Sequence, residues 1–331
     1  MLLIGHLDTV FEPDSPFQRF QRLDDRRAKG PGIIDMKGGL VIMVSALKAL
    51  KTAGVLQAMN VVVVLTGDEE SAGDPQDAAR AALVAAAKGA AVAMGFEDGA
   101  GDPRTAVIGR RGTTAWTLTV TGTPAHSSQI FRPDIGYGAI FEAARILNAF
   151  RETLAGESHL TFNPALALGG TQVDVNPVQA RGSAFGKDNV IPEHAVISGD
   201  LRALSKEQFA RARERMTAIV ATGALGKTKA EIVFDEGYPP LAPTDGNRAL
   251  LAMYDRASRD IGAGPVTAVD PDRAGAADVS FVAGHVPMIL DGIGMMGDGG
   301  HTASETADLS TLPSQTKRAA LVLYRLTRPS N

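Results

Sequence analysis

The stretch VVVVLTGDEE, residues 61–70, joins four consecutive valines and a leucine to an acidic cluster. An uninterrupted β-branched run is typical of a strand buried on both faces, as in a parallel sheet covered by helices. In open α/β sheets, ligands bind just beyond the carboxyl ends of the strands. Asp68, Glu69 and Glu70 are therefore predicted to lie at the binding edge of such a sheet. A single acidic turn is more often merely solvated, so the neighbouring strands decide between the two interpretations.

Three other strand-like runs end in polar residues. LLIGHLDTV places His6 after a short strand, and Asp8, two residues on, points to the same face of an extended chain. Asp35 follows GPGII at a predicted strand-to-helix junction, and Glu97 ends GAAVAMGFEDG. His6 could bind a metal while Asp8 orients its imidazole, although an isolated His-x-Asp is usually only a polar strand end. We expect these residues to meet Glu69 and Glu70 at one rim.

The order of helices and strands predicts an α/β fold interrupted by a second domain. Residues 12–32 read as a loop, and a helix is predicted for 75–88. RRGTTAWTLTVTG then alternates apolar and polar residues, as a one-sided antiparallel strand does. We predict a mixed, mostly parallel sheet with helices on both faces, formed discontinuously by residues 1–111 and 236–331. An inserted α+β domain of two helices on one antiparallel sheet, residues 112–235, separates these parts.

Three helices can be bounded from the sequence, at 135–154, 245–261 and 312–326. A fourth helix is predicted to begin at Ser205, with Gln208 three residues on to complete a capping box.

Composition restricts the chemistry. The 331 residues are 44% hydrophobic and 21% charged, as in an ordinary globular protein, and they contain no cysteine. Any metal must therefore be held by His, Asp and Glu. The net charge of −4 gives no electrostatic footprint for nucleic acid, and no apolar run approaches a membrane span. The N-terminus lacks the features of a signal peptide, which leaves the compartment, cytoplasmic or periplasmic, undecided.

Five candidate ligands fall at predicted strand exits, with His301 supplied by GDGGHTASE. Two zinc ions about 3.5–4 Å apart could share them, with one carboxylate bridging. The side chains of adjacent residues diverge, so Glu69 would not bind the same ion as Glu70. Glu69 is instead suited to deprotonate a water whose pKa the metal has lowered. The ligands are His6, Asp35, Glu70, Glu97 and His301.

Eight motifs occur in an order that resembles one enzyme family: GHLDTV, GPGIIDMKGG, TGDEE, FEDG, TPAHSS, NVIP, GDLR and GDGGHTASE. The chain resembles the zinc-dependent aminoacylase/carboxypeptidase family, which includes bacterial glutamate carboxypeptidase, succinyl-diaminopimelate desuccinylase and aminoacylase. The resemblance runs from residue 3 to the last helix. GPG before Asp35 and FE at Glu97 are most similar to the glutamate carboxypeptidase branch.

The resemblance implies roles for the ligands. His6, braced by Asp8, and Glu97 would hold the first zinc, and Glu70 with His301 the second. Asp35 would bridge the two ions, and Glu69 would be the general base. Co²⁺ or Mn²⁺ are expected to substitute for zinc.

The resemblance also implies roles for the inserted domain, which would act as a lid and form a homodimer. His126 would stabilise the oxyanion in the partner subunit's site, while Asn189 and Arg202 would grip the substrate's carboxylate. Arg202 could equally form a strand-edge ion pair, and Asn189 could be a turn residue. Arg273 precedes the small-residue run AGAADVS and is a further candidate near the substrate.

One departure from the family concerns the N-terminus. Family members carry several tens of residues before the first zinc histidine, so the resemblance predicts an N-terminally truncated chain. We would then expect an unpaired edge beside the first strand and an uncovered apolar face.

The function expected is a dizinc hydrolase that cleaves an amide next to a free carboxylate, most similar to glutamate carboxypeptidase. An N-acyl-amino-acid deacylase or desuccinylase, and a truncated non-catalytic relic, are the alternatives. Its small substrate would be an N-acyl amino acid or a peptide, and no nucleic-acid or membrane partner is expected. The exact substrate, the physiological metal and the pathway stay open.

Overall fold

A computed structural model describes residues 1–176 and 180–327 of the chain. The chain divides into two compact units. The first comprises Met1–Arg111 and Tyr238–Asn331, and the second, the inserted unit, comprises Gly112–Gly237. The boundaries predicted from the sequence were residues 112 and 235. None of the helices in the described ranges is long and apolar enough to cross a membrane.

The elements of the first unit before the insertion are β1 Leu2–His6, β2 Gln21–Arg22, β3 Arg27–Lys29, α1 Gly38–Thr52, β4 Val62–Thr66, α2 Gln76–Ala79, α3 Ala81–Ala87, β5 Val92–Gly95 and β6 Thr105–Ala106. Those of the inserted unit are β7 Gly112–Thr121, α4 Ala139–Leu154, β8 Thr161–Gly170, β9 Gln172–Asn176, β10 Arg181–Phe185, β11 His194–Ala203, α5 Lys206–Ala221 and β12 Lys229–Phe234. The first unit then resumes with α6 Asp245–Asp260, β13 Thr267–Ala268, β14 Met288–Leu290, β15 Gly297–Asp298, β16 Thr306–Asp308 and α7 Leu312–Leu326.

A parallel sheet in the order β14-β5-β1-β4 forms the centre of the first unit. Alternate residues of β1 face opposite cores, because side chains of a strand alternate between the two faces. Leu3 packs into the core that contains α1, α6 and α7, while Leu2 and Ile4 pack with α3 and the segment around Val279. The predicted α/β architecture with helices on both faces is confirmed.

The predicted burial of the valine run is wrong. β4 is an edge strand of this sheet, and Val62, Val63 and Leu65 are 44%, 41% and 41% exposed. The β-branched residues still favour a strand, but no further described strand pairs with β4 and its faces are incompletely covered. β1 is paired on both sides, by β4 and β5, so the expected unpaired edge and uncovered apolar face lie at β4 rather than beside β1.

The inserted unit contains an antiparallel sheet in the order β12-β7-β11-β8. β7 alternates between buried and more exposed residues along its length, as its sequence pattern predicts. Buried residues of the sheet, such as Trp116 and Ile197, pack with those of α4 and α5 in one core. β9 and β10 form a separate antiparallel pair, and β10 was not predicted from the sequence.

Local geometry corrects several predicted boundaries. Residues Ile33–Lys37 form an irregular turn before α1, with non-helical dihedral angles at Asp35 and Met36, so Asp35 follows no strand directly. Two short strands, β2 and β3, lie within the predicted loop 12–32, and the helix predicted from residue 135 begins at Ala139. The predicted helix 75–88 divides at Arg80 into α2 and α3.

At the start of α5, Ser205 accepts a hydrogen bond from the backbone N–H of Gln208, as predicted. The Gln208 side chain, however, accepts from Leu204 N–H rather than from Ser205, so the capping box is not reciprocal.

Candidate metal centre and active site

Five side chains converge beyond the carboxyl ends of the central strands, and we call them the metal cluster: His6, Asp35, Glu70, Glu97 and His301. His6 is the last residue of β1 and is 1% exposed, and Glu97 follows β5 by two residues. Glu70 lies four residues beyond the end of β4. The parallel arrangement of the strands explains why residues so far apart in the sequence meet at one edge.

The two carboxylate oxygens of Asp35 face two different groups of ligands. Oδ1 lies 3.0 Å from Nε2 of His6, and Oδ2 lies 2.8 Å from Nε2 of His301. Glu97 Oε1 is 3.4 Å from the same His6 nitrogen, and Glu70 Oε2 is 3.5 Å from the His301 nitrogen. Each group of three offers ligand atoms within 4.8 Å of one another. Asp35 is therefore common to two adjacent candidate metal sites.

The electrostatics of the cluster also fit bound cations. Burial raises the pKa of Glu97 to about 8 and that of Glu70 to about 7, and the charge of Asp35 adds to both effects. Oε1 of Glu70 is buried and has no hydrogen-bond partner among the described residues. An unpartnered, buried carboxylate oxygen is costly in a folded protein, and a divalent cation would satisfy it.

The two histidines compensate for the negative charge of these carboxylates. Burial by itself lowers the pKa of His6, but hydrogen bonds and charges from Asp35 and Glu97 raise it to about 12. The hydrogen bond to Asp35 raises the pKa of His301 to about 9. Burial raises the pKa of Asp35, yet its hydrogen bonds to both histidines hold that pKa well below its usual range. Nitrogen and carboxylate ligands of this kind suit zinc and similar divalent metals.

Asp8 supports two of the ligands at once. Nδ1 of His6 lies 3.2 Å from the Asp8 backbone carbonyl and 3.3 Å from its Oδ1. A proton on Nδ1 donated to the Asp8 carbonyl leaves Nε2 free to bind a metal. The other carboxylate oxygen, Oδ2, accepts a 2.9 Å hydrogen bond from the backbone N–H of Glu70. The expected bracing of His6 is thus accompanied by a second contact that the sequence did not predict.

The turn that carries Asp35 is held by Glu305, which sequence reasoning missed. The Glu305 side chain is 1% exposed, and its Oε1 accepts from the N–H groups of Ile34 and Asp35 at 2.9 and 3.2 Å. Oε2 accepts from Gly32 N–H at 2.8 Å. Gly32 adopts a left-handed conformation, with φ of 65°, that suits glycine. The acid four residues after His301 in GDGGHTASE was the available sequence signal.

Close packing fixes the same turn against the loop that carries Glu97. A Cβ at Gly39, in the first turn of α1, would overlap the backbone carbonyl oxygen of Phe96.

His301 has a left-handed backbone conformation, with φ of 61°, which costs a non-glycine residue about 1–3 kcal/mol. Such strain is typical of functional sites, where the surrounding structure holds a residue in a required position.

Glu69 lies beside the metal cluster. Burial raises its pKa to about 9, and the nearby negative charge of Glu97 adds to the increase. Its backbone carbonyl accepts a 2.7 Å hydrogen bond from the hydroxyl of Tyr238. A buried carboxylate with a raised pKa at a metal site has the properties of a general base, once cations counter the surrounding negative charge.

Three further candidates lie in the inserted unit. His126 is exposed, and its Nδ1 is 2.8 Å from the hydroxyl of Ser128. The residue after His126, Ser127, donates its backbone N–H to the carbonyl of Asn189, so these two candidates lie on adjacent segments. Arg202 donates from Nε to Asp200 at 2.8 Å; this is the ion pair considered above, but it lies on the inner strand β11 rather than at the sheet edge. Both residues of this pair line a cavity of about 730 Å³ on the sheet.

Arg273 is exposed at the end of a short helical turn, Pro271–Arg273, of the first unit. No contact among the described residues joins Arg273 to the metal cluster. The run AGAADVS that follows contributes a different residue, Asp278, which is buried and contacts Thr66 and Arg80. The sequence signal for Arg80 is that it is the one charged residue in the alanine-rich stretch AARAALVAAA. An arginine that is buried in such a stretch requires charged or polar partners.

Comparison with known proteins gives the same family over almost the whole chain. The profile of peptidase family M20/M25/M40 matches residues 2–326. Carboxypeptidase G2 from Pseudomonas sp. (strain RS-16) is 25% identical over 331 residues, spanning 98% of this chain and 74% of that protein. Succinyl-diaminopimelate desuccinylase 2 from Shewanella loihica is 25% identical over 344 residues, spanning 99% of this chain and 83% of that protein.

Solved structures share the fold. Aminopeptidase PepT from Bacillus cereus superposes with a TM-score of 0.74 at 20% identity, covering 99% of this chain and 80% of that chain. The YXEP protein of Bacillus subtilis, described as a dinuclear metal-binding peptidase, gives a TM-score of 0.65 at 15% identity and covers 98% and 81%. At these identities the structural similarity establishes the architecture only.

Proposed function

The chain belongs to peptidase family M20/M25/M40, and from this premise we propose that it is a dizinc hydrolase that cleaves an amide bond next to a free carboxylate. Within that class we propose a glutamate carboxypeptidase-like metallopeptidase. The similarity to carboxypeptidase G2 along 98% of the chain supports this choice.

The observation that carries the proposal is that the two carboxylate oxygens of Asp35 face different ligands. Its oxygens lie 3.0 and 2.8 Å from histidines that belong to two separate groups of ligands. A carboxylate shared in this way suits two cations about 3.5–4 Å apart. Under the proposal, His6 and Glu97 would hold one zinc ion, Glu70 and His301 would hold the other, and Asp35 would be a ligand of both.

The residues of the chain then divide the chemistry between them. When bound, two divalent cations supply Lewis acidity, which polarises an amide carbonyl and makes a water molecule more acidic. Glu69 accepts a proton from the water while the water oxygen attacks the carbonyl carbon. Glu69 later delivers that proton to the amide nitrogen as the C–N bond breaks. The products are a carboxylate and a free amine. Asp8 keeps the Nδ1 proton of His6 in place throughout.

We assign substrate recognition to the inserted unit. The Nε of Arg202 donates to Asp200, while its terminal N–H groups make no hydrogen bond to another described residue and can contact a carboxylate. Asn189 would donate to the same carboxylate, and His126 would stabilise the oxyanion in a partner subunit's site. Arg273 is retained as a candidate near the substrate.

A homodimer through the inserted unit is part of the proposal. β8 is an edge strand of its sheet and is exposed along much of its length. Ile140 and Phe141, at the start of α4, are 48% and 51% exposed, and Ile140 packs close to Gly169 of β8. An exposed strand edge beside apolar side chains favours pairing with a second copy. Phe141→Asp should convert such a dimer to a monomer in light scattering, whereas Asp77→Ala, at an exposed site on α2, should not.

An N-acyl-amino-acid deacylase or desuccinylase is the second candidate function. Its support is the desuccinylase relative, which is as similar in sequence, at 25%, as carboxypeptidase G2. A substrate panel that varies the acyl half and the amino-acid half independently separates the two. Faster turnover of N-acyl glutamates than of N-succinyl amines favours the carboxypeptidase.

The first test is the zinc-to-protein ratio of the dialysed chain by elemental analysis, for which we expect about two. The second is hydrolysis of N-acyl glutamates by the wild type and by Glu69→Ala, which should lose activity while keeping its zinc. Asp77→Ala serves as the control for loss of an acid elsewhere in the first unit. A zinc-loaded wild type that hydrolyses no acyl amino acid would refute the proposal and favour a non-catalytic relic.

A further inference from the structure

A buried arginine fastens the segment that leads from β4 to the proposed base. Arg80, at the junction of α2 and α3, is 1% exposed. Its Nε donates to Asp278 Oδ1 at 2.7 Å and its Nη1 to Asp68 Oδ1 at 2.7 Å. Nη2 donates both to the backbone carbonyl of Asp68 and to the hydroxyl of Tyr238, each at 2.8 Å. We call these four residues the Arg80 cluster.

The Arg80 cluster contacts nearly every residue between the end of β4 and the base. The hydroxyl of Tyr238 extends this hydrogen-bond network to the base, because it donates to the backbone carbonyl of Glu69 at 2.7 Å. At the other end, the hydroxyl of Thr66 donates to Asp278 Oδ2 at 2.6 Å. Three of the four residues 66–69 are thus hydrogen-bonded to one buried group of side chains.

The loop beyond the base is fastened as well. Asp68 Oδ2 accepts from the N–H of Gly73 at 3.0 Å, which closes the turn that follows. Asp8 binds the backbone N–H of Glu70 from the side of the metal cluster. The backbone of the Glu69–Glu70 pair is therefore held at its carbonyl by Tyr238 and at its amide by Asp8.

The partners of Arg80 connect it to the proposed base. Its guanidinium lies over the rings of Tyr238 and Phe281, at 5.8 and 5.4 Å from their centroids, and is paired with Asp278. The remaining N–H donors of this buried group still require acceptors. Nη2 of Arg80 and the hydroxyl of Tyr238 donate to consecutive backbone carbonyls, those of Asp68 and Glu69, and so join the buried arginine to the backbone of the base.

We propose that Arg80 and Tyr238 are positioning residues that fix the backbone of Glu69 relative to the metal cluster. This inference rests on the proposed hydrolytic function, in which Glu69 is the base. Displacement of a reacting group by about 1 Å can cost about 100-fold in rate, so a lost backbone anchor should reduce turnover without changing substrate affinity.

The sharpest perturbation is Tyr238→Phe, which removes one hydroxyl and retains the ring that packs on Phe281. Tyr254→Phe is the matched control. Tyr254 is fully buried in the same unit, and its hydroxyl donates at 3.2 Å to Gln315. Gln315 lies outside the metal cluster. Both variants therefore lose a tyrosine hydroxyl that donates to an amide oxygen, and Tyr238→Phe also removes an acceptor of Arg80 Nη2. Arg80→Lys, which keeps the charge but not the planar fork, is a second variant of the cluster.

We expect Tyr238→Phe to lower kcat for an N-acyl glutamate about 10- to 100-fold, with KM and the zinc ratio within twofold of the wild type. Tyr254→Phe should keep the wild-type kcat, and Arg80→Lys should lose at least as much kcat as Tyr238→Phe. A Tyr238→Phe enzyme with kcat within twofold of the wild type overturns the inference. An equal loss of kcat in both tyrosine variants also overturns it.

Amide hydrogen exchange separates this inference from the proposed function. If zinc-loaded wild type is inactive on every acyl amino acid, the proposed function fails, and exchange in residues 67–71 becomes the readout. Faster exchange there in Tyr238→Phe, but not in Tyr254→Phe, supports the anchoring of the Glu69 backbone. Unchanged exchange in both variants overturns it.

Discussion

Replacement of Glu305 by glutamine should weaken metal binding even though Glu305 is not a proposed ligand. Its buried carboxylate accepts three backbone hydrogen bonds from the turn that carries Asp35, at 2.8, 2.9 and 3.2 Å. Glutamine has nearly the same shape, but one oxygen becomes an NH₂ group that can only donate. That group would face a backbone N–H, most simply the N–H of Gly32.

The size of the effect follows from these contacts. A hydrogen bond to a charged group contributes about 1.5–3 kcal/mol, and a buried donor left without an acceptor costs about 1–3 kcal/mol. Glu305→Gln should therefore lower the free energy of unfolding of the metal-free protein by about 3–5 kcal/mol. Most domains have about 5–15 kcal/mol in total, so the variant should remain folded. The displaced turn should reduce zinc affinity about 10- to 100-fold, as loss of a residue supporting a ligand usually does.

Two measurements test this prediction: urea unfolding of the chelator-treated protein, and zinc affinity by competition with a chromogenic chelator. Glu142→Gln is the control, because Glu142 is also fully buried and accepts from a backbone N–H, that of Leu225, within the inserted unit. The control should lose stability but keep wild-type zinc affinity. Wild-type zinc affinity in Glu305→Gln would refute the argument that the Glu305 carboxylate holds Asp35 in place.

Three further predictions concern the same site. Asp8→Asn should lower zinc affinity about 10- to 100-fold in the same competition assay, and unchanged affinity would contradict its bracing of His6. In the metal-free protein the pKa values of Glu70, about 7, and of Glu69 and His301, about 9, lie above their unfolded values. The folded chain then binds more protons, so its free energy of unfolding should fall between about pH 5 and pH 9, and a constant or rising value in urea unfolding would contradict this. His126→Ala should lower kcat far more than zinc content, and mixing it with Glu69→Ala should restore one working site per dimer; no recovery would exclude action across the interface.

Much of the fold was predictable because the signals are local. Apolar runs that stop in polar residues indicated β1 and β5, and helical spacing bounded α7 at Leu312–Leu326 correctly. Alternation of apolar and polar residues identified β7. The valine run shows the limit of such patterns. Its composition predicts a strand, but whether a strand is central or at an edge depends on its neighbours, and β4 is at the edge.

The short elements escaped prediction for a related reason. β2 and β3 have two and three residues, with charged side chains, and pair with each other and with β16. The strand conformation of β3 depends on β16, about 280 residues further along the chain, and that of β2 depends on β3, rather than on their own propensity. The turn at Ile33–Lys37 likewise depends on Glu305, far along the chain, to satisfy its backbone N–H groups.

The candidate site divides in the same way, into ligands that the sequence marks and supports that it does not. Ligand side chains such as His6 and Glu70 stand beside strand ends, and their residue types are those that bind metals. Arg80, Asp278 and Glu305 are ordinary charged residues in sequence, and only burial gives them a role. A charge that is 1–2% exposed needs hydrogen-bond partners, and those of Glu305 and Arg80 include backbone groups adjacent to Asp35 and Glu69. Because burial makes an unpaired charge costly, these residues are held by their hydrogen bonds. Those bonds in turn fix the positions of the Asp35 carboxylate and of the proposed base.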